Sequence, residues 1–348
     1  MRRRGSRLSQ VWTFKCPACG NSLEYVPGTK SMQCPFCGRT STEEEMTQGY
    51  ASDTAPEQAG LREYHCQNCG AQIITDETTA ATRCYFCHSP VVLMDRLSDA
   101  FRPDGVVPFE LDKEHALSAF KQFLSKKRFL DRQFLSDDQL EMLSGVYYPY
   151  WLGQFEGDAA FEGEGTKVKT MIRGNYNITR TRYYHVSRKG HLRFKNLQRK
   201  ALHEVDRKLS DGIHPFDMRN MKPFSMSYLS GFFAEKRDIE EQEAGADMEQ
   251  EVRKYVPGLM EKSGEYSSLT GKTDFSVTCQ RMRYVLLPAW VLTYQGRTKD
   301  KPYYFMMNGQ TGTVCGRLPL DRKKLLLTSL LLGAVILGIL CLGGALIW

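Results

Sequence analysis

Apolar and polar positions fall into a few clear patterns along the chain. After Asp112, a residue suited to cap a helix start, Ala116, Leu117, Phe120, Phe123 and Leu124 recur at helical spacing. Lys126, Lys127 and Arg128 follow at the end where the helix dipole favours cations. Residues 168–194 alternate instead, as in Arg180-Thr181-Arg182-Tyr183-Tyr184-His185-Val186. That period of two predicts strands, with Gly174-Asn175 and Lys189-Gly190 as turn signals. Residues 235–256 form a charged helical stretch, acidic through Glu251 and stopped by Pro257-Gly258. A last hairpin is expected from Tyr303-Tyr304-Phe305-Met306-Met307 and Thr311-Gly312-Thr313-Val314, turning at Asn308-Gly309.

A repeat underlies the β-rich part. Val146-Tyr147-Tyr148-Pro149-Tyr150-Trp151 aligns with Val285-Leu286-Leu287-Pro288-Ala289-Trp290 at a constant offset, which continues to Gly157 and Gly296. Proline lacks a ladder donor, so each is expected to open the edge of a strand, with the tryptophan packed in the core.

The last segment, 325–348, is apolar and uncharged over 24 positions. At 1.5 Å per residue it would make about 36 Å of helix against about 30 Å of bilayer hydrocarbon. Arg322, Lys323 and Lys324 precede it. The reading is a C-terminal transmembrane tail anchor, with the membrane as a partner through that helix. The positive-inside rule then places the protein at the cell membrane as a single-pass chain with its body in the cytoplasm.

Eight cysteines set the chemistry of the N-terminal quarter. They form four Cys-x-x-Cys pairs: Cys16/Cys19, Cys34/Cys37, Cys66/Cys69 and Cys84/Cys87. Each member of the second set follows its counterpart by 50 residues, so two four-cysteine sites arise by tandem duplication. Two intervening residues let one tight turn present both thiolates to one ion, and a second turn completes a tetrahedron. The glycine closing the first three pairs can take positive φ, folding the turn so that backbone N–H groups point at sulfur. Two structural Zn2+ ions are therefore expected, and they would supply folding energy that such small units lack. Disulfides are disfavoured because no secretory signal follows the basic start at Met1-Arg2-Arg3-Arg4. Haem attachment at Cys84-Tyr85-Phe86-Cys87-His88 would orphan Cys66 and Cys69.

Charge is segregated. The formal net charge is +7, yet residues 167–200 alone hold eleven basic residues and no acid. Candidate anionic-surface contacts are Lys167, Lys169, Arg173, Arg180, Arg182, Arg188, Lys189, Arg193 and Lys195. With Tyr176, Tyr183, Tyr184 and Phe194 interleaved, they could serve a protein partner, anionic lipid, or the backbone and bases of nucleic acid.

No catalytic constellation is found. Gly271-Lys272-Thr273 lacks the earlier glycine of a phosphate loop, since Tyr266 stands there. Gly163-Glu164-Gly165 lacks a dinucleotide loop's third glycine. The seven histidines show no metal-protease spacing.

The expected architecture is α+β: a zinc ribbon at 1–45, a flexible acidic linker at 46–61, a second ribbon at 62–95, a mixed body at 96–318 with two similar β-rich halves and inserted helices, and the transmembrane helix at 325–348. The ribbons, with Tyr148-Pro149-Tyr150-Trp151, Lys222-Pro223-Phe224-Ser225, Tyr228-Leu229-Ser230-Gly231-Phe232, Leu287-Pro288-Ala289-Trp290 and Met307-Asn308-Gly309-Gln310-Thr311-Gly312, resemble a bacterial family of membrane-anchored proteins containing TFIIB-type zinc ribbons. The likeness spans nearly the whole chain and departs at His88, where glycine is expected. It implies architecture and no reaction. The expected function is a membrane-tethered zinc-ribbon adaptor that is not an enzyme; the alternative is nucleic-acid binding through the ribbons and residues 167–200.

Overall fold

The computed structural model describes residues 11–29, 31–42, 45, 62–66, 72–75, 79–84, 89–93, 101–125, 127, 129–130, 142–203, 205–262, 265–294, 303–316 and 321–347. Cys69, Cys87, His88, Lys126, Arg128, the basic start, the 46–61 linker and the Gln295-Gly296 end of the repeat lie outside them.

The short strands come first: β1 (Val11–Trp12), β2 (Glu24–Tyr25), β3 (Ser31–Gln33), β4 (Thr40–Thr42), β5 (Arg62–His65), β6 (Gln72–Thr75), β7 (Thr79–Arg83), β8 (Pro90–Leu93) and β9 (Gly105–Val106). Helix α1 (Lys113–Ser125) precedes two long strands, β10 (Ser144–Arg173) and β11 (Tyr176–Lys200). Helix α2 (Arg207–Gly212), β12 (Lys222–Pro223), β13 (Phe233–Glu235) and α3 (Glu241–Glu261) lead to a third long strand, β14 (Ser268–Tyr294). Then come β15 (Tyr303–Asn308), β16 (Val314–Gly316) and α4 (Arg322–Ile347). Strands β2-β3-β4 and β5-β6 form small separate sheets, and the other eleven form one sheet.

The centre of that sheet is the antiparallel pair β10 and β14, in which Tyr148 faces Leu287. Pro149 faces Leu286 and Tyr147 faces Pro288, so the repeat folds as a local two-fold about this point. The neighbours obey the same symmetry. Val146 pairs with β13 in parallel and its counterpart Val285 pairs with β9 in parallel. Tyr150 starts the pairing with β11, and its counterpart Ala289 starts the pairing with β15.

Both prolines therefore lie inside a sheet rather than at an edge. Each carbonyl accepts one bond on the side where its own N–H is missing, from Ala201 N to Pro149 O and from Gly309 N to Pro288 O, both 2.9 Å. On that side the neighbouring strand ends, at Lys200 and at Asn308, so no ladder acceptor is left unpaired by the proline. The tryptophans are buried, and each indole donates to a backbone carbonyl: Trp151 to Ile239 at 2.9 Å and Trp290 to Leu111 at 3.1 Å.

Several expectations need correction. The architecture is mostly β rather than α+β, because β10, β11 and β14 run unbroken through glycines that look like stops. Gly190 is no turn; it pairs with Ala159 inside β11. At the other signal, Gly174 takes φ +63° in a two-residue loop between Arg173 and Tyr176. Helix α3 starts at Glu241 because 233–235 is a strand, and it runs past Pro257 to Glu261 with Val256 and Met260 held in the core. The last hairpin turns through a longer loop whose positive φ falls at Gly312. Asn308 instead lends its side-chain oxygen to the N–H groups of Gln310 and Thr311 and donates to the Ile213 carbonyl.

The larger correction concerns the C-terminus. The apolar segment does form a helix, but among the described residues no helix is long and apolar enough to cross a membrane. The transmembrane helix, the tail anchor, the membrane as a partner through it, and the single-pass location with a cytoplasmic body all rested on that span and are overturned with it.

The largest core cluster lies between the sheet, α1 and α3 and includes Phe109, Phe120, Tyr147, Trp151, Phe155, Phe161, Met248 and Trp290, and a second gathers Tyr150, Leu152, Ile213, Phe216, Val285 and Leu287. Close strand approach shapes it. A Cβ at Gly157 would stand 1.7 Å from the Ser276 carbonyl oxygen. Gly157→Ala should therefore cost about 3 kcal/mol in chemical denaturation. Gly190→Ala, with open space around the added carbon, should change stability by no more than about 0.5 kcal/mol.

Candidate metal centre and basic hairpin

Cys16, Cys19, Cys34 and Cys37 converge, their Sγ atoms all lying within 4.8 Å of one another. Cys16 and Cys37 approach to 3.6 Å and Cys19 and Cys34 to 3.5 Å. Both turns are built alike. Cys16 N bonds Asn21 O and Gly20 N bonds Cys16 O; Cys34 N bonds Arg39 O and Gly38 N bonds Cys34 O. Gly20 and Gly38 take φ near +70°, at 73° and 71°, which folds each turn back on its cysteine. Burial raises the Cys16 thiol, but N–H groups of Ala18 and Cys19 and the neighbouring thiols outweigh it and lower its pKa to about 7. The Cys37 N–H lowers Cys34 against burial, with help from the Phe36 N–H. Cys16 and Cys34 are buried while Cys19 and Cys37 are exposed. Four thiols of this arrangement can hold a metal ion.

The ribbon around this cluster is fastened to the body. Its small core, Phe14, Leu23, Met32 and the two buried cysteines, packs against Met226. Tyr25 N bonds Ser230 O at 3.0 Å, Ser230 Oγ donates to Leu23 O at 2.7 Å, and Gly28 N bonds Phe109 O at 2.9 Å. The Tyr25 and Tyr228 rings meet edge to face at 5.1 Å. Arg83 of β7 grips both Glu24 oxygens, at 2.9 and 3.3 Å, and donates to Gly231 O at 2.8 Å. The Tyr228-Leu229-Ser230-Gly231-Phe232 motif is thus the seat of the first ribbon. Sequence reasoning marked these residues without finding that use, because the bonds run to backbone groups over 200 positions away.

From the second cysteine set, Cys66 and Cys84 are described. Both are buried, in a cluster with Tyr64, Val91 and Leu93. Hairpin β7-β8 joins the large sheet: β8 pairs with β1 and β7 with β13.

The basic segment is the outer half of the β10-β11 hairpin. Strand β14 ends opposite Thr166, so residues 167–182 project as a two-stranded finger. Pairing sets Lys167 opposite Arg182 and Lys169 opposite Arg180. Because side chains alternate, these four and Arg173 share one face with Met171, Tyr176 and Ile178. The other face carries Val168, Thr170, Ile172, Asn177, Thr179, Thr181 and Tyr183, all uncharged. Lys169, Arg173, Arg180 and Arg182 form no ion pair among the described residues.

Nearer the base the remaining candidates are engaged or dispersed. Lys167 Nζ stands 5.3 and 4.9 Å over the rings of Tyr184 and Tyr266. Arg188 donates to Met260 O at 2.7 Å, and Arg193 pairs with Glu156 at 2.6 Å. Lys189 lies opposite Ala160, on the face away from Arg188, and Lys195 falls in the bulge between Phe194 and Leu197. Phe194 packs against the core. Sequence reasoning also passed over Arg199 as a site in its own right. Nearly buried, it meets Asp247 at 3.1 Å and pairs with Glu251, fixing α3 to β11.

These features define a mostly β protein bearing a cysteine ribbon fit for a metal ion. No family profile matches the chain, and no solved structure matches it. It is 30% identical over 322 residues to the uncharacterized protein YdjG of Bacillus subtilis strain 168, covering 90% of this chain and 92% of that protein. The chain belongs to the same family as YdjG.

The ribbon seat yields a prediction. Ser230→Ala would strand the buried Leu23 carbonyl and should lower stability by about 1–3 kcal/mol in denaturant unfolding, with the metal content of the first site unchanged.

Proposed function

We propose that the protein is a zinc-ribbon adaptor: a non-catalytic β scaffold that holds metal-stabilised ribbons and a basic finger in fixed positions for a protein partner. The observation that carries this reading is the bonding of the first ribbon to the body through Ser230, Phe109 and the Glu24–Arg83–Gly231 bridge. A ribbon held this way presents a surface of defined shape, and its Phe36 is 77% exposed beside the metal turn.

Zinc suits the first site. Bonds of about 2.3 Å in a tetrahedron set sulfur atoms about 3.8 Å apart, close to the thiol contacts present. Cys16, Cys19, Cys34 and Cys37 would hold one ion. A second ion at Cys66, Cys69, Cys84 and Cys87 is supported by the turn at Cys84, whose N–H bonds Ser89 O at 3.0 Å as Cys34 N bonds Arg39 O at 2.9 Å. The resemblance to proteins with TFIIB-type ribbons agrees with both ions.

The nucleic-acid alternative has less support. Single-strand binding uses rings beside cations. Here Tyr176 is the one interleaved tyrosine left exposed on the cationic face, while Tyr183 lies on the face opposite Arg180 and Arg182 and Tyr184 is turned edge-on against Tyr266 under Lys167.

Metal analysis should find two zinc ions per chain, and Cys16→Ser should lose one and keep the other. Loss of both would mean interleaved sites. The adaptor reading is tested in cells with a photo-crosslinking residue at position 36 or 178. One protein should be captured reproducibly, and capture of no protein from either position would sink it.

A further inference from the structure

One face of the central sheet shows what it accepts. Helix α3 lies on the side of β10 that carries Trp151, Phe155, Ala159 and Phe161, and it buries Met248, Val252, Val256 and Met260 there. Its acids, Asp247 and Glu251, meet Arg199 and Arg207 at the rim of the contact. Arg188, from the same face of the sheet, closes the helix by donating to Met260 O. The cover then thins to one ring: Tyr266 lies over Gly165, where a Cβ would stand 2.6 Å from it.

Past Tyr266 the same face continues without cover among the described residues. It is the basic face of the finger, five cations around Met171, 56% exposed, and Ile178, 43% exposed. Apolar side chains ringed by arginines repeat the chemistry that holds α3. We propose that this uncovered face binds an acidic amphipathic helix of a partner protein, laid along the finger as α3 is laid along the sheet. This rests on the adaptor reading and names the chemistry of the partner. The stretch from Lys167 to Arg173 is about 20 Å long at ~3.3 Å per residue, which four turns of helix would cover. A nucleic-acid backbone would satisfy the cations and leave Met171 and Ile178 against charge.

The test uses the full-length, metal-loaded protein and fluorescence anisotropy. The probes are a 20-residue peptide with apolar residues at helical spacing flanked by Glu, poly-glutamate of equal charge, and a 20-nucleotide single strand and duplex of DNA. The peptide should bind, and Arg180→Gln with Arg182→Gln should weaken it by at least about tenfold through lost charge-assisted bonds. Met171→Ser with Ile178→Ser should weaken it comparably, while Thr179→Ala with Thr181→Ala, on the opposite face, should leave it unchanged. Both arginine changes relieve like-charge pairs, so thermal unfolding should show variants at least as stable as the parent. The proposal is overturned if the peptide fails to bind, if poly-glutamate binds as well, if either DNA binds more tightly, or if the threonine changes weaken binding equally. In cells, a partner captured from position 36 but never from position 178 overturns this inference and leaves the adaptor reading standing. Capture from neither position overturns that reading itself.

Discussion

The pairing of β10 with β14 about Tyr148 and Leu287 is the constraint on which the rest depends. Antiparallel strands made of the same short sequence can pair about a two-fold, and once they do, every neighbour inherits a place. The strand beside Val146 is matched by one beside Val285, and the hairpin starting at Tyr150 by one starting at Ala289. Proline is tolerated at the centre of such a pair because on its N–H side the flanking strand has just ended. Two tryptophans follow two residues later and reach across to loop carbonyls, closing the sheet over the core.

Much of this was legible locally and little of it globally. The 139-residue offset was visible, but an offset says only that two segments are alike, and nothing in it requires them to be each other's partner. The helix around Phe120 and the cysteine turns were readable because their bonds close within five residues. Glycines misled for a physical reason. At Gly157 and Gly163 the residue is there because a neighbouring backbone comes too close for a Cβ, a cause invisible without the partner strand. Pro257 misled similarly, since a helix end held by Val256, Met260 and Arg188 survives a missing donor. The apolar C-terminal run suggested a span from its composition, but among the described residues no helix is long and apolar enough to cross a membrane.

Cysteine spacing predicted sites, and the fold changes what those sites are for. A ribbon on a flexible tether needs metal only to hold itself together. Here β2 is bonded to the 230–231 segment and bridged to β7, while β1 pairs with β8. Loss of the ion would therefore loosen more than one small unit: the first ribbon's strands, its seat at Tyr228 and the hairpin beyond are linked by the same few bonds. An ion held by Cys16, Cys19, Cys34 and Cys37 would thus fasten segments far apart in sequence.

The finger poses the opposite problem, because its charges oppose its own folding. Two like-charged cross-strand pairs and Arg173 put five cations on one face of a ribbon that has no third strand among the described residues. If these residues served only to keep an edge strand from pairing with other copies, cations scattered over both faces would serve as well, without setting two pairs directly opposite. The structure does the reverse: it leaves the second face to threonine, valine, isoleucine and tyrosine, and spaces the cations around Met171 and Ile178. Lower on the same face, each arginine finds an acid or a helix carbonyl, and there the sheet is covered. A surface whose repulsion is relieved only when something acidic lies on it is arranged for a bound state.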